Sequence, residues 1–208
     1  MKKIIFIITL FATISVSAQN IGEVFLTMPE DIIFGLEAAG KEKLVSNHND
    51  TTGIVVDRGV LGEMGRLAIS DDFISLQTSE AGTIQIKLLP LINDSKIICV
   101  VKTVCGRMCD SQIQFYTTKW MPIPQGDLFP KKDKDWFIRS DVDRSSQDFQ
   151  NAYAALDMNP IVITLSAGDT SLEATYDIEN YLTDDDYKKI EPYLVNSKKF
   201  VWDKLSYK

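Results

Sequence analysis

Apolar and polar residues alternate with a period of two through most of residues 54–118. Ile74 and Leu76 fall on one side of a predicted strand, and after a short turn Ile84 and Ile86 fall on one side of the next strand. Because successive side chains of a strand point to opposite faces, this spacing is typical of strands with one buried face. Several such strands joined by tight turns predict an antiparallel meander that another layer covers.

One run inside this region does not alternate. The sequence KIICVVKTV, residues 96–104, is apolar at nearly every position between its lysines. A strand with apolar side chains on both faces has to be buried on both faces. We therefore predict that this strand lies at the centre of the sheet.

Residues 27–48 follow a helical pattern. Pro29 suits the first position of a helix, and Ile32 and Leu36 fall on one face at helical spacing. Gly40 is expected to divide the region into two short helices. These N-terminal helices are the predicted cover for the apolar face of the sheet.

The C-terminal third returns to the strand pattern, with apolar residues at Ile161, Ile163 and Leu165. Thr183 followed by three aspartates is typical of a helix start, because a hydroxyl caps the N-terminus and carboxylates complement the dipole. The predicted fold class is therefore α+β. It consists of a curved, mainly antiparallel β-meander sheet, with N-terminal helices and a C-terminal helix packed against it.

Residues 119–148 interrupt these patterns with three prolines and many charged residues. A long connection without secondary structure is uncommon in a compact domain unless it is functional or disordered. This segment could be a lid, a linker or a domain boundary. We otherwise expect residues 19–208 to form a single α+β domain, with a candidate subdivision near 119–148.

The first 18 residues have the features of a cleavable signal peptide. Lys2 and Lys3 precede an apolar run over residues 4–14, and small residues lead to a cleavage point before Gln19. No cysteine lies near that point, so the sequence does not suggest a lipoprotein. We expect the mature chain to begin at Gln19 and to be periplasmic or secreted.

Charge narrows the range of partners. Without Lys2 and Lys3, the chain carries 20 basic and 29 acidic residues, a net charge of −9. An acidic surface repels nucleic acid phosphates and anionic lipids, and the mature chain has no other apolar segment long enough to be an integral membrane span. The expected partner is an unknown protein or a small-molecule ligand, and no nucleic acid.

Cys105 and Cys109 lie four residues apart in KTVCGRMCDSQIQFY, between two predicted strands. In an oxidising compartment the default expectation is a disulfide that fixes the strand connection. A reduced pair, a redox centre and a metal site remain the alternatives, although the spacing differs from the thioredoxin motif. Cys99, inside the central strand, is expected to be a buried, inert thiol.

Other candidate chemistry is sparse. His48 is the only histidine and lies in a polar stretch, and the chain has no nucleophile motif and no Gly-rich phosphate loop. We therefore predict no catalytic residues, no metal site and no cofactor. Trp120, Trp136 and Trp202 are candidates for lining a ligand site, although tryptophans more often fill or cap a core.

The run TIQIKLLPLINDSKIICVVKTVCGRMCDSQIQFYTTKW, residues 83–120, resembles the core of a secreted Bacteroidales family catalogued as domain of unknown function 3256. The resemblance extends to the Met28-Pro29-Glu30 and Asp71-Asp72-Phe73 motifs and to the C-terminal WDKL. It implies an envelope or secreted location and one family-wide fold. It implies no activity and no catalytic residues.

These observations favour an exported cell-envelope protein that acts as a non-enzymatic binding or interaction module. One form of this hypothesis is a carrier of a small apolar ligand, with residues 119–148 folded over a cleft. The alternative is a secreted, glycosidase-like hydrolase that uses carboxylates without a local motif. That alternative requires two acidic side chains facing each other across a cleft.

Overall fold

The structure is a computed structural model that describes residues 19–46 and 53–208. The predicted signal peptide, residues 1–18, and His48 lie outside the described residues. Seven strands form one sheet in chain order, and every neighbouring pair is antiparallel. They are β1 (Val55–Asp57), β2 (Glu63–Ile69), β3 (Phe73–Ser79), β4 (Gly82–Pro90), β5 (Lys96–Cys105), β6 (Cys109–Thr117) and β7 (Pro122–Ile123). The predicted antiparallel meander and the α+β class are confirmed.

Strand β5 is buried on both faces, as its composition predicted. Cys99 and Val101 belong to one hydrophobic core, and Ile98 and Val100 belong to another on the opposite side of the sheet. The sheet is therefore a middle layer between two cores. We call them the helix-side core, which contains Ile98, and the inter-sheet core, which contains Cys99.

The N-terminal helices cover the helix-side core, but their bounds differ from the prediction. Helix α1 (Ile21–Leu26) begins earlier, where the Asn20 side chain accepts a hydrogen bond from the backbone N–H of Glu23 at 2.9 Å. Helix α2 spans Ala38–Val45. The residues between the two helices form turns and irregular backbone, so the helix predicted over 27–48 is wrong for residues 27–37.

Gly40 lies inside α2 and does not break it. A Cβ atom at this position would lie 2.9 Å from Leu36 Cδ1 and 3.0 Å from Val56 Cγ1. The glycine therefore serves close packing of the helix against neighbouring side chains, where the sequence pattern had suggested a helix break.

The C-terminal strands form a second sheet of their own, which the sequence did not predict. This three-stranded antiparallel sheet has the order β10-β9-β8. Its strands are β8 (Ile161–Leu165), β9 (Ser171–Tyr176) and β10 (Ser197–Val201), and the accompanying helices are α3 (Gln147–Tyr153) and α4 (Asp184–Ile190). Together they cover the inter-sheet core. As predicted, Thr183 caps α4, since its hydroxyl accepts a hydrogen bond from the Asp186 N–H at 3.2 Å.

The free edge of β8 is joined to the large sheet by side chains. A strand edge carries N–H groups that need partners when they are buried. Three side chains of the large sheet accept these bonds: Asp110 from Ile161 at 3.0 Å, Ser111 from Ile163 at 2.9 Å, and Gln85 from Leu165 at 2.8 Å. The two sheets are thus held together by hydrogen bonds as well as by apolar packing.

The segment 119–148 is anchored to the inter-sheet core. Phe129 and Phe137 are almost fully buried there, and the Phe137 ring stacks on Tyr176 with 5.2 Å between ring centroids. A short 3-10 turn, Lys134–Phe137, carries the second anchor. These aromatic anchors attach the segment to both sheets.

Candidate functional site

Cys105 and Cys109 face each other at the end of the β5–β6 hairpin. They are partners in the strand ladder, and their sulfur atoms are 2.04 Å apart, which is a disulfide distance. The Cys109 N–H donates a hydrogen bond to the carboxylate of Asp177, just after β9. Thioredoxin-type centres place the dithiol at a helix N-terminus, whereas this pair joins two strand ends. The pair therefore clamps the hairpin.

The third cysteine offers no reactive thiol. Cys99 is fully buried in the inter-sheet core, and burial raises the pKa of its thiol. A raised pKa leaves little thiolate at neutral pH, and the thiolate is the nucleophilic form. Within residues 19–46 and 53–208, no group of three or more His, Cys, Asp or Glu side chains could hold a metal ion.

The three tryptophans lie on opposite sides of the large sheet. Trp120 belongs to the helix-side core, where its indole N–H donates to the carbonyl of Val24 at 3.0 Å. Trp202 belongs to the inter-sheet core and donates to the carbonyl of Pro90 at 2.7 Å. Trp136 packs against that same core. Because the sheet separates Trp120 from the other two, the three tryptophans do not line one ligand site.

One surface depression brings two carboxylates together, as a glycosidase would require. Glu37 and Asp57 both border it. Both residues are exposed, and Asp57 Oδ1 accepts a hydrogen bond from the Gly59 N–H at 2.8 Å. A general acid needs apolar surroundings that keep it protonated near neutral pH. This exposed pair lacks such surroundings.

A groove of about 660 Å³ runs along the outer edge of β6, beside β7. The segment 119–148 borders it through Pro122, Ile123, Gln125 and Lys132. The Lys132 ammonium is 2.6 Å from Asp110 Oδ1, so its charge is paired. The sequence-based hypothesis placed an apolar ligand under 119–148. In the structure this segment supplies core anchors and one wall of the β6 groove.

An opening with a more apolar lining than the β6 groove lies on the helix-side face of the large sheet. It is a cleft of about 320 Å³, lined by residues 32–34, Arg58, Leu61, and residues 78–79, 82–84 and 102–104. We call it the amphipathic cleft. Its volume is at the small end of the range for small-molecule sites, roughly 300–1,000 Å³.

Apolar side chains form the floor and the rim of the amphipathic cleft. Ile32, Ile33 and Ile84 are buried members of the helix-side core that reach its floor. Exposed apolar groups in a concave site are the usual mark of a ligand surface. Three such residues line the rim: Phe34 (76% exposed), Val104 (65%) and Leu61 (39%).

The cleft exists because residues 32–34 leave the helical path that their spacing suggested. Gly35 follows them with φ +74°, a left-handed conformation that favours glycine. A Cβ atom on Gly35 would lie 2.2 Å from Leu61 Cδ1. Leu61 therefore packs directly onto the glycine backbone. This contact joins two walls of the cleft, while Phe34 points away from the core.

Arg58 ties three walls of the cleft together. Its Nη1 donates to the carbonyl of Phe34 at 3.0 Å. Its Nη2 donates to the carbonyls of Thr78 at 2.5 Å and Leu61 at 3.3 Å. Its Nε is buried and has no hydrogen-bond partner within the part of the chain that the structure describes. The Arg58 guanidinium is therefore hydrogen-bonded to neutral carbonyl groups and forms no ion pair with the described residues.

Sequence reasoning did not identify Phe34, Arg58 or Lys102 as site residues. The only local signal was Lys102, which continues the row of Ile98 and Val100 on one face of β5. A lysine at the end of a row of apolar residues indicates where the N-terminal helices stop covering that face of the strand. This signal does not predict which other residues line the cleft.

Comparison with known proteins gives a family and a structural relative. Residues 13–207 match the model of a family described as "Protein of unknown function (DUF3256)". The fold is similar to "Structure of a domain of an uncharacterized protein from Porphyromonas gingivalis W83", with a TM-score of 0.79 and 26% sequence identity. That likeness covers 89% of this chain and 96% of the other. No curated protein matches the chain.

The described part of the chain contains no helix that is both long enough and apolar enough to span a membrane.

Proposed function

Because the chain belongs to the DUF3256 family of unknown function, which supplies no activity, we propose a role from its own geometry: a non-enzymatic binding module. It holds a small, largely apolar ligand in the amphipathic cleft. The observation that carries this proposal is the exposed apolar rim around a concave floor of buried isoleucines. Such an arrangement costs solvation free energy unless something covers it.

The shape favours a small molecule over a protein partner. A stable protein interface buries roughly 800 Å² on each partner and is usually flat or gently curved. The amphipathic cleft is a local depression of about 320 Å³ at the end of three strands. A ligand of modest size would contact the floor and the rim at once.

The chemistry of the lining supports binding over catalysis. General acid–base catalysis uses groups that titrate near the working pH, most often imidazole or carboxyl groups. The described residues that line the cleft include no carboxylate, imidazole or thiol. They supply apolar groups, hydroxyl groups, one guanidinium and one ammonium.

The proposal includes export to the periplasm or the cell exterior. Its support is the charged and apolar pattern of residues 1–18, together with the Cys105–Cys109 pair at disulfide distance. N-terminal sequencing of the exported protein should begin at Gln19. A chain that keeps its first residues and stays in the cytoplasm would contradict this part.

The binding role is tested with N-phenyl-1-naphthylamine, a neutral apolar dye whose fluorescence rises in apolar sites. The chain that starts at Gln19 should bind it saturably. Phe34→Ala should raise the dissociation constant about five-fold, because it removes about 1 kcal/mol of partly buried aromatic contact. Val60→Ala is the matched control, since Val60 is fully exposed and does not line the cleft.

Two results would overturn the proposal. One is the absence of saturable dye binding to the folded chain. The other is equal dye affinity in the Phe34→Ala and Val60→Ala variants, which would place the dye elsewhere.

A further inference from the structure

The charge at the amphipathic cleft is opposite to that of the whole protein. The full sequence has a formal net charge of −7. The cleft nevertheless collects two cations, Arg58 and Lys102, and no acidic side chain among its described lining residues. In a low-dielectric opening, such charges act on a ligand more strongly than the same charges on an open surface.

Lys102 lies on the same face of β5 as the helix-side core. In the strand ladder it stands opposite Ile84, which forms part of the cleft floor. The helices cover Ile98 and Val100 on that face, but Lys102 is partly exposed and Val104 is largely exposed. The ammonium therefore sits where an apolar surface meets solvent.

Neither cation forms an ion pair with a described carboxylate, although Arg58 also borders the neighbouring depression that contains Glu37 and Asp57. The Lys102 ammonium makes no hydrogen bond or ion pair with the described residues, unlike those of Lys87 and Lys132, which pair with aspartates. Arg58 is held by carbonyl groups and retains one buried N–H without a described partner. An apolar surface with two cations outside any described ion pair is complementary to a molecule with an apolar chain and an anionic head group.

We infer that the ligand of the amphipathic cleft is a single-chain anionic amphiphile, of which a fatty carboxylate is the simplest member. Lys102 binds its anionic head group, the charge of Arg58 adds to the attraction, and the apolar rim holds the chain. This inference rests on the proposed function and adds the chemical class of the ligand to it.

The test measures displacement of N-phenyl-1-naphthylamine by two competitors of equal chain length, dodecanoate and dodecanol. Both are used below the concentration at which they aggregate. Dodecanoate should bind about ten-fold more tightly than dodecanol, because charge-assisted hydrogen bonds are stronger than neutral ones. This preference should shrink in high salt, since the head group stays near solvent.

Lys102→Met tests the residue that carries the inference. It should reduce the preference for dodecanoate to about two-fold or less, while dodecanol affinity stays the same, because methionine keeps the apolar stem and removes the charge. Lys188→Met is the matched control, since Lys188 is exposed on α4 and lies outside the cleft. It should leave the preference unchanged. Lys102 is the better test residue, because Arg58 also supports the fold through three carbonyl bonds.

A third competitor, dodecyl phosphate, separates two kinds of head group. If dodecyl phosphate and dodecanoate compete equally well, the cleft recognises the negative charge of the head group. If one of them competes more strongly, the inference is still supported and the preferred head group is identified.

The outcomes separate this inference from the proposed function. If dodecanol competes as well as dodecanoate, or if Lys102→Met keeps the full preference, the inference is overturned while dye binding still supports the proposed function. If the unaltered chain binds no dye, the proposed function itself fails.

Discussion

The ion pair between the buried Lys87 and the partly exposed Asp72 gives a sharp prediction about stability. The Lys87 side chain is 2% exposed, and its ammonium lies 3.0 Å from Asp72 Oδ1. It also donates to the carbonyl of Ala167 at 3.3 Å and lies 5.7 Å from the centroid of the Phe73 ring. This single charge therefore joins the large sheet to the connection between β8 and β9.

Removal of the two partners should have unequal effects. Breaking a fully buried pair by removing one partner costs about 3–5 kcal/mol, because the other charge stays buried. The Asp72 side chain is 37% exposed, so water can partly replace it, and we expect Asp72→Ala to cost about 2–3 kcal/mol. Lys87→Met removes the buried charge and keeps the apolar volume, so it should cost less than about 1 kcal/mol.

Urea unfolding followed by tryptophan fluorescence measures both free energies, provided that the slope of the free energy against urea stays the same. Asp71→Ala is the matched control, because Asp71 is the exposed neighbour in the same turn. It should change the free energy of unfolding by no more than about 0.5 kcal/mol. The reasoning would be refuted if Lys87→Met destabilised the protein more than Asp72→Ala, or if Asp72→Ala matched the control.

Three further predictions follow from buried or hydrogen-bonded groups. Thiol titration of the unreduced chain should find no reactive thiol in the folded state and one after unfolding. The reason is that Cys99 is fully buried and the other two cysteines are bonded to each other. Three thiols after unfolding would contradict the disulfide. Ser111→Ala should cost about 1–3 kcal/mol in urea unfolding, since it leaves the buried N–H of Ile163 without its acceptor; an unchanged midpoint would contradict this. The hydrogen bond from Lys208 lowers the pKa of Asp203 to about 2. The contribution of this hydrogen bond to stability should therefore be full above pH ~4 and disappear as the pH falls towards 2. An NMR titration of the Asp203 carboxyl group with a midpoint near 4 would refute this prediction.

Several parts of the fold follow from local pattern alone. The alternation through residues 54–118 predicted the meander, and the doubly apolar KIICVVKTV predicted the central strand. The Cys105–Cys109 pair was predictable because its loop closes within one hairpin. Thr183 predicted the start of α4 because a helix cap depends only on residues within one turn.

Residues 27–37 of the predicted helix show where local pattern fails. Ile32 and Leu36 have helical spacing, yet Gly35 turns the chain with positive φ and both apolar residues reach the core from non-helical backbone. The helical spacing of these two residues reflects their burial. A non-helical backbone buries the same two side chains. Helical periodicity over a short stretch records which residues are buried, and tertiary packing decides the backbone path.

Local chemistry along the chain is enough to predict which side chains of the meander are buried and where its hairpins turn, because these depend on neighbouring residues. What covers each face of the sheet depends on how distant parts of the chain pack together. The separate second sheet, the side chains that cap the β8 edge and the amphipathic cleft all join residues far apart in the chain. Arg58 and Lys102 look like ordinary surface cations in the sequence. They become a candidate site because folding places both beside the same uncovered apolar surface.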